Sequence, residues 1–243
     1  RRTDVLLHAL NALLLWWVLT RLLRRVTRVQ TALTPVIAWC LAWLWALHPA
    51  LVTAWASDMG RTHLLSTTLT LCALLLYLRT LATGRNLYFL GSVAAILLAM
   101  LTKVVAGWVL LVLVLEASAH GWRRALTCWR VYVSAAICAG FAVLTIYTST
   151  VFGFAVDASK GLFGDPVARS ALAVWIYFRD LVAPLWLTFW HLPDPRTGWT
   201  YPLVWAGLAL TLASVWHALR SWRAADTRVV AIGWAWCWAL LLP

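Results

Sequence analysis

Five side chains carry most of the chemistry open to this sequence: His48, Asp58, Arg61, His63 and Lys103. Three of them crowd one polar stretch, His48 precedes Asp58 by ten residues, and Lys103 stands alone in the apolar run from Leu87 to Ser118. A lysine at the centre of one membrane-crossing helix costs about 2.5–3.5 kcal/mol on insertion scales. The run therefore reads better as two short helices, Leu87–Thr102 and Val104–Ser118, meeting near a membrane face with Lys103 at the apex. A cation so placed is a candidate partner for an anion such as a lipid phosphate, although it can also simply snorkel to the headgroups.

The stretch Ser57-Asp58-Met59-Gly60-Arg61-Thr62-His63 has two readings as well: an interfacial turn, or a site for an anionic lipid or sugar headgroup. In His48-Pro49 the proline frees a backbone carbonyl and opens the helix, a kink expected to turn His48 toward Asp58, Arg61 and His63. Two histidines and an aspartate could ligate a divalent metal, but their spacing matches no metal motif and does not support one. No other cofactor is indicated. His8 and Asn11 are three apart and share a helix face, where an interhelical hydrogen bond is the simplest role.

The elements that must position these residues are membrane helices. Apolar residues make up 63% of the 243-residue chain and charged ones 12%, with a mean hydropathy of +0.82. A soluble domain of this size needs a more polar exterior. With roughly 20 apolar residues required per crossing, the chain reads as an all-α, polytopic transmembrane bundle forming one domain over residues 1–243. Its expected segments are Val5–Thr20, Pro35–Ser57, Leu64–Leu78, the pair around Lys103, Val131–Thr150, Ala171–Trp190, Pro202–Leu219 and Val229–Leu242. That makes about seven to nine membrane segments. The chain opens on Arg1 without a methionine and stops near the end of a segment, so a piece of a longer protein is expected, truncated at both ends.

Charge orients the bundle. If the Lys103 pair goes down and back, and Ala171–Trp190 lies along one face, then Arg21, Arg24, Arg25, Arg28, Arg79, Arg85, Arg123, Arg124, Arg130, Arg220, Arg223 and Arg228 share one side. By the positive-inside rule that side is cytoplasmic. Asp4, Asp58, Asp157, Asp165, Asp180 and Asp194 gather opposite, with Lys103. The net charge of +12 is thereby explained by loop arginines facing anionic headgroups, and no nucleic-acid module is visible. Nineteen tryptophans are many; those near segment ends, such as Trp39, Trp199 and Trp222, suit an interfacial belt. Five scattered cysteines form no CxxC pair and read as small packing residues.

These residues also carry a resemblance. His48-Pro49 through Trp55, Ser57, Gly60-Arg61-Thr62, Leu64-Leu65 and on to Leu74-Leu75-Leu76-Tyr77-Leu78-Arg79 resembles the "HP…W.SGR.DLL…ALLLYLR" block of multi-spanning glycosyltransferases of the C superfamily. The nearest type is the membrane O-mannosyltransferase-like proteins that often carry tetratricopeptide repeats. Val5–Arg21, Leu97–Glu116 with Lys103, Tyr177–Phe189 and Val229–Pro243 resemble further segments of the same proteins. The sequence departs from the pattern at Thr53 and His63, where acids are usual, at Val104, where a glutamate is common, and in the added Asp58-Met59.

The resemblance implies sugar transfer from a polyprenyl-phosphate donor to a protein hydroxyl, at the extracytoplasmic face of a bacterial inner membrane. It places the lipid phosphate on Lys103 and Arg61 and lines the sugar or acceptor site with His48, Asp58 and His63. The catalytic acid is expected in a loop upstream of Arg1, leaving the catalytic residue unknown. A lipid transporter or flippase subunit, and a non-catalytic membrane scaffold, are the alternatives.

Overall fold

The computed structural model describes residues 2–26, 32–51, 60–103, 107–151, 166–184, 199–223 and 227–241. Among them every regular element is helical. In chain order these are α1 (Arg2–Val26), α2 (Thr34–Ala46), a 3-10 turn at Pro49–Leu51, α3 (Gly60–Thr83), α4 (Asn86–Thr102), α5 (Trp108–His120), α6 (Trp122–Leu126), α7 (Trp129–Val151), α8 (Pro166–Val182), α9 (Pro202–Arg223) and α10 (Arg228–Leu241). Four of them, α1, α3, α7 and α9, are long and apolar enough to cross a membrane. The apolar helices α2, α4 and α5 are shorter, at 13, 17 and 13 residues.

Local sequence explains most boundaries. Asp4 in the first turn of α1 and Arg24 and Arg25 in the last complement its dipole. The turn between α3 and α4 uses Gly84 at φ +70, and α5 ends at Gly121 with φ +84, both in the region that favours glycine. The apolar stretch Pro35–Ser57 is not one helix: α2 stops at Ala46 because the residue before a proline is steered out of the helical region, and Pro49 opens a separate short turn. The run around Lys103 is broken as expected, with Lys103 itself extended at φ −159, ψ 135.

Two apolar clusters organise the packing. The larger joins Val18 and Leu22 of α1, Leu71, Leu74 and Tyr77 of α3, Phe89 and Ile96 of α4, Trp108 and Leu115 of α5, Val131 of α7 and Ile232 of α10. The smaller joins Ala168, Ala171 and Leu172 of α8 to Val204 of α9. Large apolar side chains such as Leu6, Leu44, Leu87, Ile146 and Trp216 face outward, an arrangement that a lipid environment favours.

The two ends of the bundle differ in charge. Arg25 Nη2 donates to Leu81 O at 3.4 Å, Arg130 Nη2 to Asn86 Oδ1 at 3.3 Å, and Arg228 Nε to Trp222 O at 3.3 Å. Trp222 also packs on Trp122 at 5.0 Å between ring centres. These contacts draw the ends of α1, α3, α5 and α9 and the starts of α4, α7 and α10 into one arginine-rich end. Of the expected set, Arg28 lies outside the described residues. At the opposite end stand Asp4, Arg61, His63 and Lys103. Asp180 belongs there through α8, whose Leu181 carbonyl meets His48 while Ala171 abuts Gly207 near the start of α9. Asp58, Asp157, Asp165 and Asp194 lie outside the described residues.

Candidate functional site

The Lys103 end is built on a helical hairpin and a parallel pair. Helices α3 and α4 run antiparallel from Gly84, and His63 and Lys103 each lie about twenty residues from that turn. At 1.5 Å rise per residue the two arms are nearly equal, so their far ends meet. Lys103 Nζ lies 2.9 Å from His63 Nδ1. The Lys103 backbone N–H still closes on Ala99 O at 2.9 Å, and the chain then leaves the helix. Both residues are exposed. Even so, protein atoms gathered round the helix break displace water, and this burial pushes the Lys103 ammonium below its ordinary pKa.

Helices α1 and α3 hold the second pair. Arg61 Nε donates to Asp4 Oδ1 at 2.8 Å and its Nη2 to Oδ2 at 3.3 Å, a two-bond fork. Asp4 is buried, while the Arg61 side chain is 55% exposed and so still open to the surroundings. The same sequence offset of 57 recurs one level down, where Thr68 Oγ1 donates to Asn11 Oδ1 at 2.7 Å. At the arginine-rich end Arg25 and Leu81 are offset by 56. A constant offset means two parallel helices in fixed register, so Asp4 meets Arg61 because Asn11 meets Thr68.

His8 and Asn11 act as their spacing implies. Asn11 Nδ2 donates to Leu64 O at 3.0 Å, tying α1 to α3. His8 Nε2 lies 2.9 Å from Ala46 O, and its ring stacks on Trp45 at 5.4 Å, tying α1 to α2. His48 has a partner to which its sequence neighbourhood does not point: its Nε2 lies 2.9 Å from Leu181 O on α8. Asp58 lies outside the described residues. Of the five candidates the structure thus joins Lys103 to His63 directly and sets Arg61 on the same α3 turn as His63.

Chemically, this end offers the Lys103 ammonium beside the His63 imidazole, with the Arg61 guanidinium two residues along α3 and turned toward Asp4 of α1, donors of a kind suited to an anion. Its described carboxylates are engaged, Asp4 by Arg61 and Asp180 by Arg179 at 2.7 Å. Among the described residues no three His, Cys, Asp or Glu side chains gather into a group able to hold a metal ion.

A second polar cluster escaped sequence reasoning. Glu116, 1% exposed, accepts from Tyr77 Oη at 2.8 Å and Arg130 Nη1 at 3.2 Å, with His120 Nε2 at 3.6 Å. The available signal was an acid closing an apolar run two turns before an arginine-rich loop. No family model, curated protein or solved structure matches the chain.

Proposed function

We propose that this protein is a membrane glycosyltransferase-like protein whose Lys103 end takes the phosphate of a polyprenyl-phosphate sugar, for transfer of the sugar to a protein hydroxyl. The observation that carries the reading is the Lys103–His63 contact at the break between α4 and α5, with Arg61 on the same turn of α3 as His63. On this reading α4 and α5 are a shortened pair of crossings, the arginine-rich end is cytoplasmic by the positive-inside rule, and Lys103 faces the extracytoplasmic side. Lys103 and Arg61 hold the phosphate and stabilise the charge that grows as it leaves. His63 positions Lys103, and His48 braces α8 over the same end. A carboxylate serving as general base on the acceptor hydroxyl comes from outside the described residues.

The test uses the purified full-length protein in liposomes with a polyprenyl-phosphate sugar and a serine- and threonine-containing peptide. Donor-dependent glycosylation, lost in Lys103→Ala while membrane insertion is kept, is the expected result. Full activity in that variant removes Lys103 from the phosphate site. Movement of the donor lipid between leaflets without transfer makes the protein a transporter, and neither activity with no donor retention makes it a scaffold.

A further inference from the structure

A cleft of ≈ 360 Å³ opens at the arginine-rich end, lined by Trp17, Arg21, Arg24 and Arg25 of α1 and by Leu78 and Ala82 of α3. The arginines are spaced i, i+3, i+4, which puts three positive charges on one helix face. Among the described residues no carboxylate lines the cleft; Glu116, buried behind it and already paired with Arg130, is near enough to act on Arg25 through charge. Arg21 stacks over the Trp17 ring at 5.2 Å and Arg25 reaches the Leu81 carbonyl at 3.4 Å, so two of the guanidiniums are held in place by neutral groups. Their charge is not cancelled by those contacts, and an anion between them would relieve their mutual repulsion.

A second feature leads straight into this cleft. Leu6, Leu10, Leu13 and Trp17 are 69%, 42%, 50% and 49% exposed. Their spacing aligns them in one stripe along α1, which ends where the arginines begin. From Leu6 to Trp17 the stripe is about 16 Å long at helical rise, close to half of a hydrocarbon core of about 30 Å. An apolar track one leaflet deep, capped by three guanidiniums, has the form of a phospholipid.

We infer that α1 and α3 form a specific site for an anionic phospholipid, with its phosphodiester among Arg21, Arg24 and Arg25 and an acyl chain along Leu6, Leu10, Leu13 and Trp17. The site is independent of the transferase reading. It lies at the other end of the bundle and uses none of the same residues.

Native mass spectrometry of the full-length protein, delipidated in neutral detergent and titrated with phosphatidylglycerol or phosphatidylcholine, tests it. The first phosphatidylglycerol should bind more tightly than phosphatidylcholine, and Arg24→Gln should weaken it about tenfold, the worth of one charge-assisted hydrogen bond. Arg123→Gln, at the same end but outside the cleft, should leave it unchanged. Equal binding of the two lipids, or equal weakening by both substitutions, overturns the site in favour of a diffuse surface charge. Displacement of the lipid by glycerol 3-phosphate at matching concentration overturns the lipid assignment and leaves a site for free phosphate.

Discussion

Lys103 Nζ and His63 Nδ1 lie 2.9 Å apart across forty residues of sequence. While Lys103 is charged its ammonium can only donate, so Nδ1 accepts and the imidazole is neutral with its proton on Nε2. The pair therefore carries one positive charge, concentrated at the tip of the α4–α5 break.

That charge sets a pH dependence. Burial lowers the Lys103 pKa, so the ammonium is lost at a lower pH than for a free lysine, whose value is about 10.4. Binding of a phosphate that needs the ammonium should fall as pH rises, and the fall should begin below that value. Lys103→Arg keeps its charge throughout and should retain binding to higher pH. Titration of donor-lipid retention against pH for both proteins checks this; coincident curves would falsify the assignment to Lys103.

Glu116 should matter to stability out of proportion to its number of contacts. Tyr77 is fully buried beside it, and Tyr77→Phe removes one bond to a buried carboxylate, costing about 1.5–3 kcal/mol. Glu116→Ala should cost more, since it strands both Tyr77 and Arg130. The double variant Glu116→Ala/Arg130→Met should cost less than the sum of its parts. Thermal melting in detergent reads all of these, and strict additivity would mean the cluster is not coupled.

Gly207 allows α9 to approach α8. A Cβ at that position would run into the backbone carbonyl of Ala171, which cannot move aside as a side chain could. Gly207→Ala should push the helices apart and cost about 1–3 kcal/mol. Disulfide trapping between cysteines placed at positions 168 and 204, whose present side chains pack together, should be fast in the parent and slow in the variant.

Asn11→Ala is expected to be mild. Both asparagine bonds are lost, from Nδ2 to Leu64 O and from Thr68 Oγ1 to Oδ1, but the freed Thr68 hydroxyl can turn its proton to Leu64 O, 2.9 Å away, so neither partner is left unpaired. The cost should be about 1 kcal/mol, the usual scale for interhelical bonds in membrane bundles. Because the same register aligns Asp4 with Arg61, Asn11→Ala should also raise the accessibility of Asp4 to a carboxylate-modifying reagent. Unchanged labelling would separate the two pairs.

How much of this was legible in advance follows from the range over which each signal acts. Hydropathy and composition are properties of single stretches, and they sufficed for the helical class, the break at Lys103 and the gathering of arginines at one end. The i, i+3 spacing of His8 and Asn11 sufficed to foresee interhelical bonds, without naming Leu64 or Ala46 as their partners. Pro49 ended α2 earlier than hydropathy implied, because backbone sterics override an apolar run that carries no proline signal in its mean hydropathy.

The tertiary structure alone decided who meets whom. Asp4 with Arg61, His63 with Lys103, Tyr77 with Glu116 and His48 with Leu181 are separated by 57, 40, 39 and 133 residues. All but the last depend on the register of two packed helices, where a slip of one residue turns a side chain by about 100° on a helix of 3.6 residues per turn; His48 stands between α2 and the 3-10 turn and meets α8 through the path of the chain. A sequence read along its length contains the periodicity of each helix. Its register against a neighbour is set by packing across the core, where Val18, Leu71, Ile96 and Leu115 interlock, and only that packing places Lys103 beside His63.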